Sequence, residues 1–105
     1  MDIKDLQTEA HATAIEKGFW DEPRNKSELL MLIVSELGEA CEALRKGKVQ
    51  KLGNPWKKDT FSDELADAMI RIADLAESEG IDLNWQIYWK MQYNKTRPKK
   101  HDKQF

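Results

Sequence analysis

Four acidic residues define the chemistry open to this chain: Glu36-x-x-Glu39, then 24 residues (40–63), then Glu64-x-x-Asp67. At ~100° per residue, a spacing of three leaves two helical side chains about 60° apart, on one face. Glu36 is the telling member. Its neighbours at one-turn and two-turn spacings are Leu29, Leu32, Ile33, Ala40 and Ala43, so its carboxylate stands on a stripe that would otherwise be core. A buried carboxylate is costly unless it is paired or holds a metal. Two like charges one turn apart repel, and a shared cation relieves both problems. The competing reading puts both glutamates on the polar flank of an amphipathic helix. Glu64 and Asp67 alone fit such a flank, because Asp63, Asp67 and Asp74 also form a polar stripe. Taken together, the two pairs point to one centre: if their helices pack antiparallel, four carboxylates converge. Oxygen-only ligands select hard cations, Mg²⁺ first and Mn²⁺ as a substitute. Mg²⁺ held by carboxylates binds substrate phosphates, which is the chemistry of phosphoanhydride hydrolysis.

Four helices must position these residues. The first spans residues 2–17, capped by Asp2, carrying a weak stripe of Ile3, Leu6, Ala10 and Ala14, and ended by Gly18. His11 lies within it without a second His or Cys at ligand spacing, and reads as a surface or packing residue. A loop with Phe19 and Trp20 follows. The rings either close one end of the core, as composition alone favours, or offer Trp20 as a flat face to a nucleobase. Asn25-Lys26-Ser27-Glu28 has the form of a capping box and opens the second helix, which runs to about Lys46. Apolar around much of its circumference, this helix is expected to be central and packed on several sides. Cys41 within it reads as a small core residue.

Residues 47–59 form the longest loop, basic through Lys48, Lys51, Lys57 and Lys58 and by default solvated. Thr60-Phe61-Ser62-Asp63 has the form of a second capping box, opening a third helix that ends before Gly80. Its expected core face is Phe61, Leu65, Ala68, Met69, Ile72, Leu75 and Ala76. Asp82 caps a fourth helix over about 83–94, dense in aromatics (Trp85, Tyr88, Trp89, Tyr93), which suits a core or a subunit interface. Lys90 and Asn94 share a face there. The fold class is all-α, with the second and third helices as the central hairpin. Residues 1–97 form the helical domain and 98–105 a basic tail.

The totals narrow the function classes. One domain fits 105 residues, and at this size oligomerisation is a common supplement to a modest core. A net charge of -2 gives no overall reason to expect nucleic acid, and the six Lys/Arg residues from Lys90 to Lys103 are few against an acidic body. No apolar run approaches the ~18 residues of a membrane span. The N-terminus lacks the regions of a signal peptide. A single cysteine fits a reducing compartment, and the expected location is the cytoplasm.

At this point the chain resembles the MazG-like all-α nucleoside triphosphate pyrophosphohydrolases. The superfamily includes MazG, the dimeric dUTPases, phosphoribosyl-ATP pyrophosphohydrolase and the animal dCTP pyrophosphatase. The paired acidic motif carries the resemblance, together with Trp20-x-x-Pro23-Arg24-Asn25, the run Leu29 to Val34, Glu64-Leu65-Ala66-Asp67-Ala68-Met69-Ile70-Arg71, and the ending Tyr93-Asn94-Lys95-Thr96-Arg97-Pro98. It implies a four-helix bundle assembled as a dimer or a dimer of dimers. It implies Mg²⁺ on Glu36, Glu39, Glu64 and Asp67, a water activated there, and cleavage of a (deoxy)nucleoside triphosphate to the monophosphate and pyrophosphate. By the same resemblance Trp20, Lys90, Asn94 and Arg97 would meet the substrate. Some dCTP-preferring relatives carry a histidine just before the Pro-Arg-Asn step, where this chain has Asp21-Glu22, so base preference does not transfer. The alternative is a non-catalytic helical module that binds nucleotides or another protein.

Overall fold

The structure is a computed structural model and describes residues 1–99. Four helices make up its regular structure: α1 (Ile3–Glu16), α2 (Lys26–Arg45), α3 (Phe61–Ser78) and α4 (Leu83–Lys95). Each begins where a short polar side chain can take up an orphan backbone N–H. Asp2 accepts from Asp5, Asn25 from Glu28, Thr60 from Asp63 and Asp82 from Trp85. Only Asp2 and Asp5 cap reciprocally. At Thr60 the expected return bond is diverted, since Asp63 Oδ2 accepts the N–H of Asp59 at 2.8 Å. Gly18, Gly47 and Gly80 lie just beyond three helix ends with positive φ, the left-handed turn that glycine makes cheaply.

Long-range bonds fix the directions. Phe61 N–H donates to the carbonyl of Lys48, so the end of α2 meets the start of α3. Lys26 pairs with Glu79 at 2.7 Å, which joins the start of α2 to the end of α3. The two helices are therefore antiparallel. On the other side of α3, His11 reaches Asp74 and Gln7 reaches Glu77, so α1 also runs antiparallel to it.

α3 is thus the middle of the molecule, packed by α1 and α2, whereas α2 packs on α3. This corrects the expectation that α2 is central. The apolar girdle of α2 does not enter a core: Leu30, Met31, Val34, Leu37 and Leu44 are exposed, and so is Cys41. Leu65, Met69 and Ile72 of the expected α3 core face are exposed as well. What the chain buries is small. Ala14, Ala40, Ala43, Ala68, Ala73 and Ala76 are buried, with Ile33 the one large aliphatic among them. Alanine lets helix axes approach closely, near the lower end of the ~8–10 Å packing range.

α4 stands apart. Among the described residues it packs lightly on α1 and buries no side chain, with Trp85 59% and Trp89 54% exposed. Its aromatics are therefore not core in this chain. The surface of 8437 Å² exceeds the roughly 6,000 Å² of a compact monomer of this mass. No helix among the described residues is long and apolar enough to cross a membrane. Of the basic tail 98–105, residues 100–105 lie outside the described residues.

One polar side chain ties α4 to the rest. Gln7, buried in α1, donates from Nε2 to the carbonyl of Ile81 at 2.7 Å and accepts the Leu83 N–H at 3.0 Å. Both ends of its amide are spent on the turn between α3 and α4. Gln7→Ala would strand those groups, and we expect a loss of about 1–3 kcal/mol. Urea unfolding at fixed protein concentration reads the loss, and faster amide exchange at Leu83 locates it.

Candidate functional site

Antiparallel packing of α2 on α3 brings the two acidic pairs together. Carboxylate oxygens of Glu36, Glu64 and Asp67 lie within 4.8 Å of one another. Glu36 is buried on the stripe it shares with Ile33, Ala40 and Ala43, as its local sequence anticipates. Glu64 is buried more deeply, at 5% exposure. Glu39 lies outside this trio. It is exposed at the rim, and its carboxylate meets that of Glu64.

The electrostatics follow from the burial. The Glu64 carboxyl is pushed up from an ordinary 4.5 to about 8, by burial first and then by the carboxylates of Glu36 and Glu39. Glu64 Oε2 is buried with no hydrogen-bond partner among the described residues. Asp67 is raised by burial and by the negative charges of Asp63 and Glu36, which Arg71 opposes. At Glu36 burial also works upward. It is outweighed by hydrogen bonding with Glu64 and with the Arg71 guanidinium, which hold the carboxylate below its usual range. Arg71 Nε donates to Glu36 Oε1 at 3.0 Å.

A buried carboxyl without a donor, ringed by further carboxylates, is what a divalent cation with oxygen ligands would satisfy. Glu36, Glu64 and Asp67 can supply three such oxygens, and Glu39 a fourth from the rim. Asp59, Asp63 and Glu64 also approach within 4.8 Å, with Asp63 already engaged by the Asp59 backbone.

The cluster opens into a cavity of about 460 Å³ walled by Glu36, Asp67 and Arg71 and also by Phe19, Trp20 and Arg24. α3 supplies its floor. Glu64, Asp67, Arg71 and Asp74 recur at three- and four-residue steps and share one face. From Asp67 to Asp74 is seven residues, roughly 10 Å of helix at 1.5 Å each. Asp74 anchors the aromatic end. Its Oδ1 accepts the Trp20 Nε1–H at 2.9 Å and meets His11 Nδ1 at 2.7 Å. A carboxylate can only accept, so Nδ1 carries the imidazole proton. His11 meets the Trp20 ring edge-on at 5.4 Å, and the Arg24 guanidinium lies over that ring.

Sequence reasoning left three residues without a part here. Arg71 was legible in principle, one turn beyond Asp67 and two beyond Glu64 on the same face. Asp74 continues that face by another turn. His11 had no local signal, because its partner lies 63 residues away. Conversely, Lys90, Asn94 and Arg97 do not line this cavity. Lys90 lies 4.9 Å and Arg97 5.5 Å from the Tyr93 ring centre, and Asn94 Oδ1 is buried without a partner among the described residues.

If a proton occupies Glu64 where a cation would sit, pH must govern both stability and metal binding. In the unfolded chain the group ionises near 4.5, in the folded chain near 8, so between those values the fold retains a proton the unfolded chain has lost. In the presence of EDTA, Glu64 should therefore lower stability progressively from about pH 4.5 to about 8, and Glu64→Gln should flatten that slope. Mn²⁺ must displace the same proton. Its affinity should climb up to about tenfold per pH unit toward pH 8 and level off above it. Urea midpoints and Mn²⁺ titrations across pH check both.

No protein-family model and no curated protein matches the sequence. The structure matches the crystal structure of iMazG from Vibrio DAT 722, with a TM-score of 0.70 and 25% sequence identity. The match covers 91% of this chain and 100% of that one. The chain has a MazG-like all-α fold.

Proposed function

We propose that this MazG-like chain is a metal-dependent nucleotide pyrophosphohydrolase that cleaves (deoxy)nucleoside triphosphates to the monophosphate and pyrophosphate. The observation that carries the reading is Glu64 Oε2, buried without a donor among the described residues amid Glu36, Glu39 and Asp67, in a site opening into a cavity with an anchored tryptophan. The likeness to iMazG supports the same reaction class.

Glu36, Glu39, Glu64 and Asp67 would hold Mg²⁺, or Mn²⁺ in its place, and the bound ion would neutralise phosphate charge and lower the pKa of a water. Glu39, the most exposed of the four, would be free to orient such a water or take its proton. About two helical turns away, Trp20 offers a ring to the base, held square by Asp74 and His11. Arg24 covers one face of that ring, so a base would stack on the other. The spacing suits a nucleotide laid along α3 with its phosphates at Asp67 and its base near Asp74.

We further propose that the chain works as a homodimer or a dimer of dimers. An α4 with no buried side chain and a surface well above that of a compact monomer support it. Lys90, Asn94 and Arg97 would then serve substrate in the assembly rather than within one chain, in keeping with their absence from the cavity wall among the described residues. The exposed thiol of Cys41 fits a reducing, cytoplasmic setting.

Product analysis tests the reaction. A panel of nucleoside triphosphates should give monophosphate and pyrophosphate with Mg²⁺ and nothing with EDTA. Diphosphate plus phosphate would mean another cleavage site, and tight binding without product would mean a non-catalytic module. Glu39→Gln and Asp67→Asn should each lower kcat by at least about a hundredfold with helical content unchanged. For the assembly, sedimentation should give a dimer or larger. Trp85→Glu with Trp89→Glu, on one exposed face of α4, should release monomers that keep their helices.

A further inference from the structure

We propose that Arg71 is a two-position side chain, held on Glu36 in the metal-free protein and transferred to the phosphate chain of the nucleotide once a divalent cation takes Glu36. This inference rests on the metal-dependent reading above and adds to it a residue that couples cation to substrate.

The geometry points to competition for one oxygen. Arg71 Nε donates to Glu36 Oε1 at 3.0 Å, while Glu36, Glu64 and Asp67 present oxygens within 4.8 Å of one another. A cation bound by that trio must draw on the carboxylate the guanidinium now holds. The buried, donorless Glu64 Oε2 supplies the independent reason to expect the cation there.

Arg71 is also built to leave. Its side chain is 43% exposed against 12% for Glu36, so the guanidinium sits toward solvent and the carboxylate beneath it. Only Nε is used: its two Nη groups donate to nothing among the described residues. Arg24, the other arginine on the cavity wall, is committed to the carbonyl of Phe19 and to the Trp20 ring. Arg71 is therefore the cation at the carboxylate end with unspent donors, and a planar fork suits phosphate oxygens.

Displacement and recapture give the two ligands opposite dependences on one residue. Before nucleotide binds, Arg71 opposes the cation; once it binds, Arg71 favours the phosphates. The two ligands should then bind with positive coupling that passes through this side chain.

The experiment compares the full chain with Arg71→Met, which keeps the aliphatic stem, and Arg71→Lys, which keeps the charge without the fork. Mn²⁺ binding is titrated first without any anion. Inorganic triphosphate, which needs no base preference, is then titrated at saturating Mg²⁺. Arg71→Met should bind Mn²⁺ roughly threefold to fivefold tighter, the worth of one partly exposed ion pair. It should bind triphosphate roughly tenfold to a hundredfold more weakly. Arg71→Lys should fall between the two on both scales. Nitrogen-15 spectra follow the bond itself, because the Arg71 Nε–H exchanges slowly with solvent while held on Glu36 and faster once released. The signal should shift when Mg²⁺ is added and shift again with triphosphate.

Unchanged or weaker Mn²⁺ binding in Arg71→Met overturns the inference, as does an Nε–H signal indifferent to saturating Mg²⁺. In either case intact nucleotide hydrolysis by the wild-type chain leaves the proposed reaction standing. No Mn²⁺ binding to the wild type overturns both.

Discussion

A buried carboxyl group with one oxygen left unpartnered among the described residues is the constraint from which the arrangement around α3 follows. Glu64 is nearly inaccessible, its Oε2 is unmatched, and its closest polar company is more carboxylate. Folding around such a group is unfavourable for the metal-free chain, which keeps a proton on it well above the usual range. The fold tolerates this because the cost is concentrated at one point. Glu36 is relieved of its own penalty by hydrogen bonding with Glu64 and Arg71, and Glu39 remains in water at the rim. A doubly charged ion bound by these carboxylates would relieve that cost.

The small core is the other half of the same arrangement. Buried alanines on α1, α2 and α3 let three helices approach closely enough for short carboxylate side chains to meet across the gap. Larger residues at Ala40 or Ala68 would separate Glu36 from Glu64 and dissolve the cluster. The consequence is a chain with little large apolar surface inside and much outside: Leu30, Met31 and Val34 on α2, Met69 and Ile72 on α3, and the whole of α4. Close packing at the site and a surplus of exposed hydrophobic residues are two results of one choice of residue size. The surplus is the physical ground for inferring assembly.

How much of this could be read in advance depended on how local the signal was. The helix boundaries were legible to within a residue or two because Asp2, Asn25, Thr60 and Asp82 cap through bonds to residues three positions on. The buried position of Glu36 was legible because its own stripe surrounds it. The rank of the helices was not. α2 is the most apolar along its length and α3 merely amphipathic, yet α3 occupies the middle, because hydrophobicity cannot distinguish surface kept for a partner from surface buried within the chain. Cys41, Leu65 and Met69 were misjudged for that reason. His11 failed differently: a single imidazole has no meaning until Asp74 and Trp20 are folded against it.

The distribution of cations carries the last step. Arg24 secures the aromatic end of the cavity and Arg71 screens the carboxylate end, while Lys90 and Arg97 gather on Tyr93, away from both. The triphosphate proposed as substrate would add about four negative charges to those of the site's own carboxylates. Within one chain, the cations at the cavity are too few to balance them. In the proposed assembly, metal ions and basic residues of another copy would supply the balance, and α4 is where the chain holds most of its exposed aromatic surface. On this argument the helix that packs least within a single chain is the one whose surface the proposed assembly would use most.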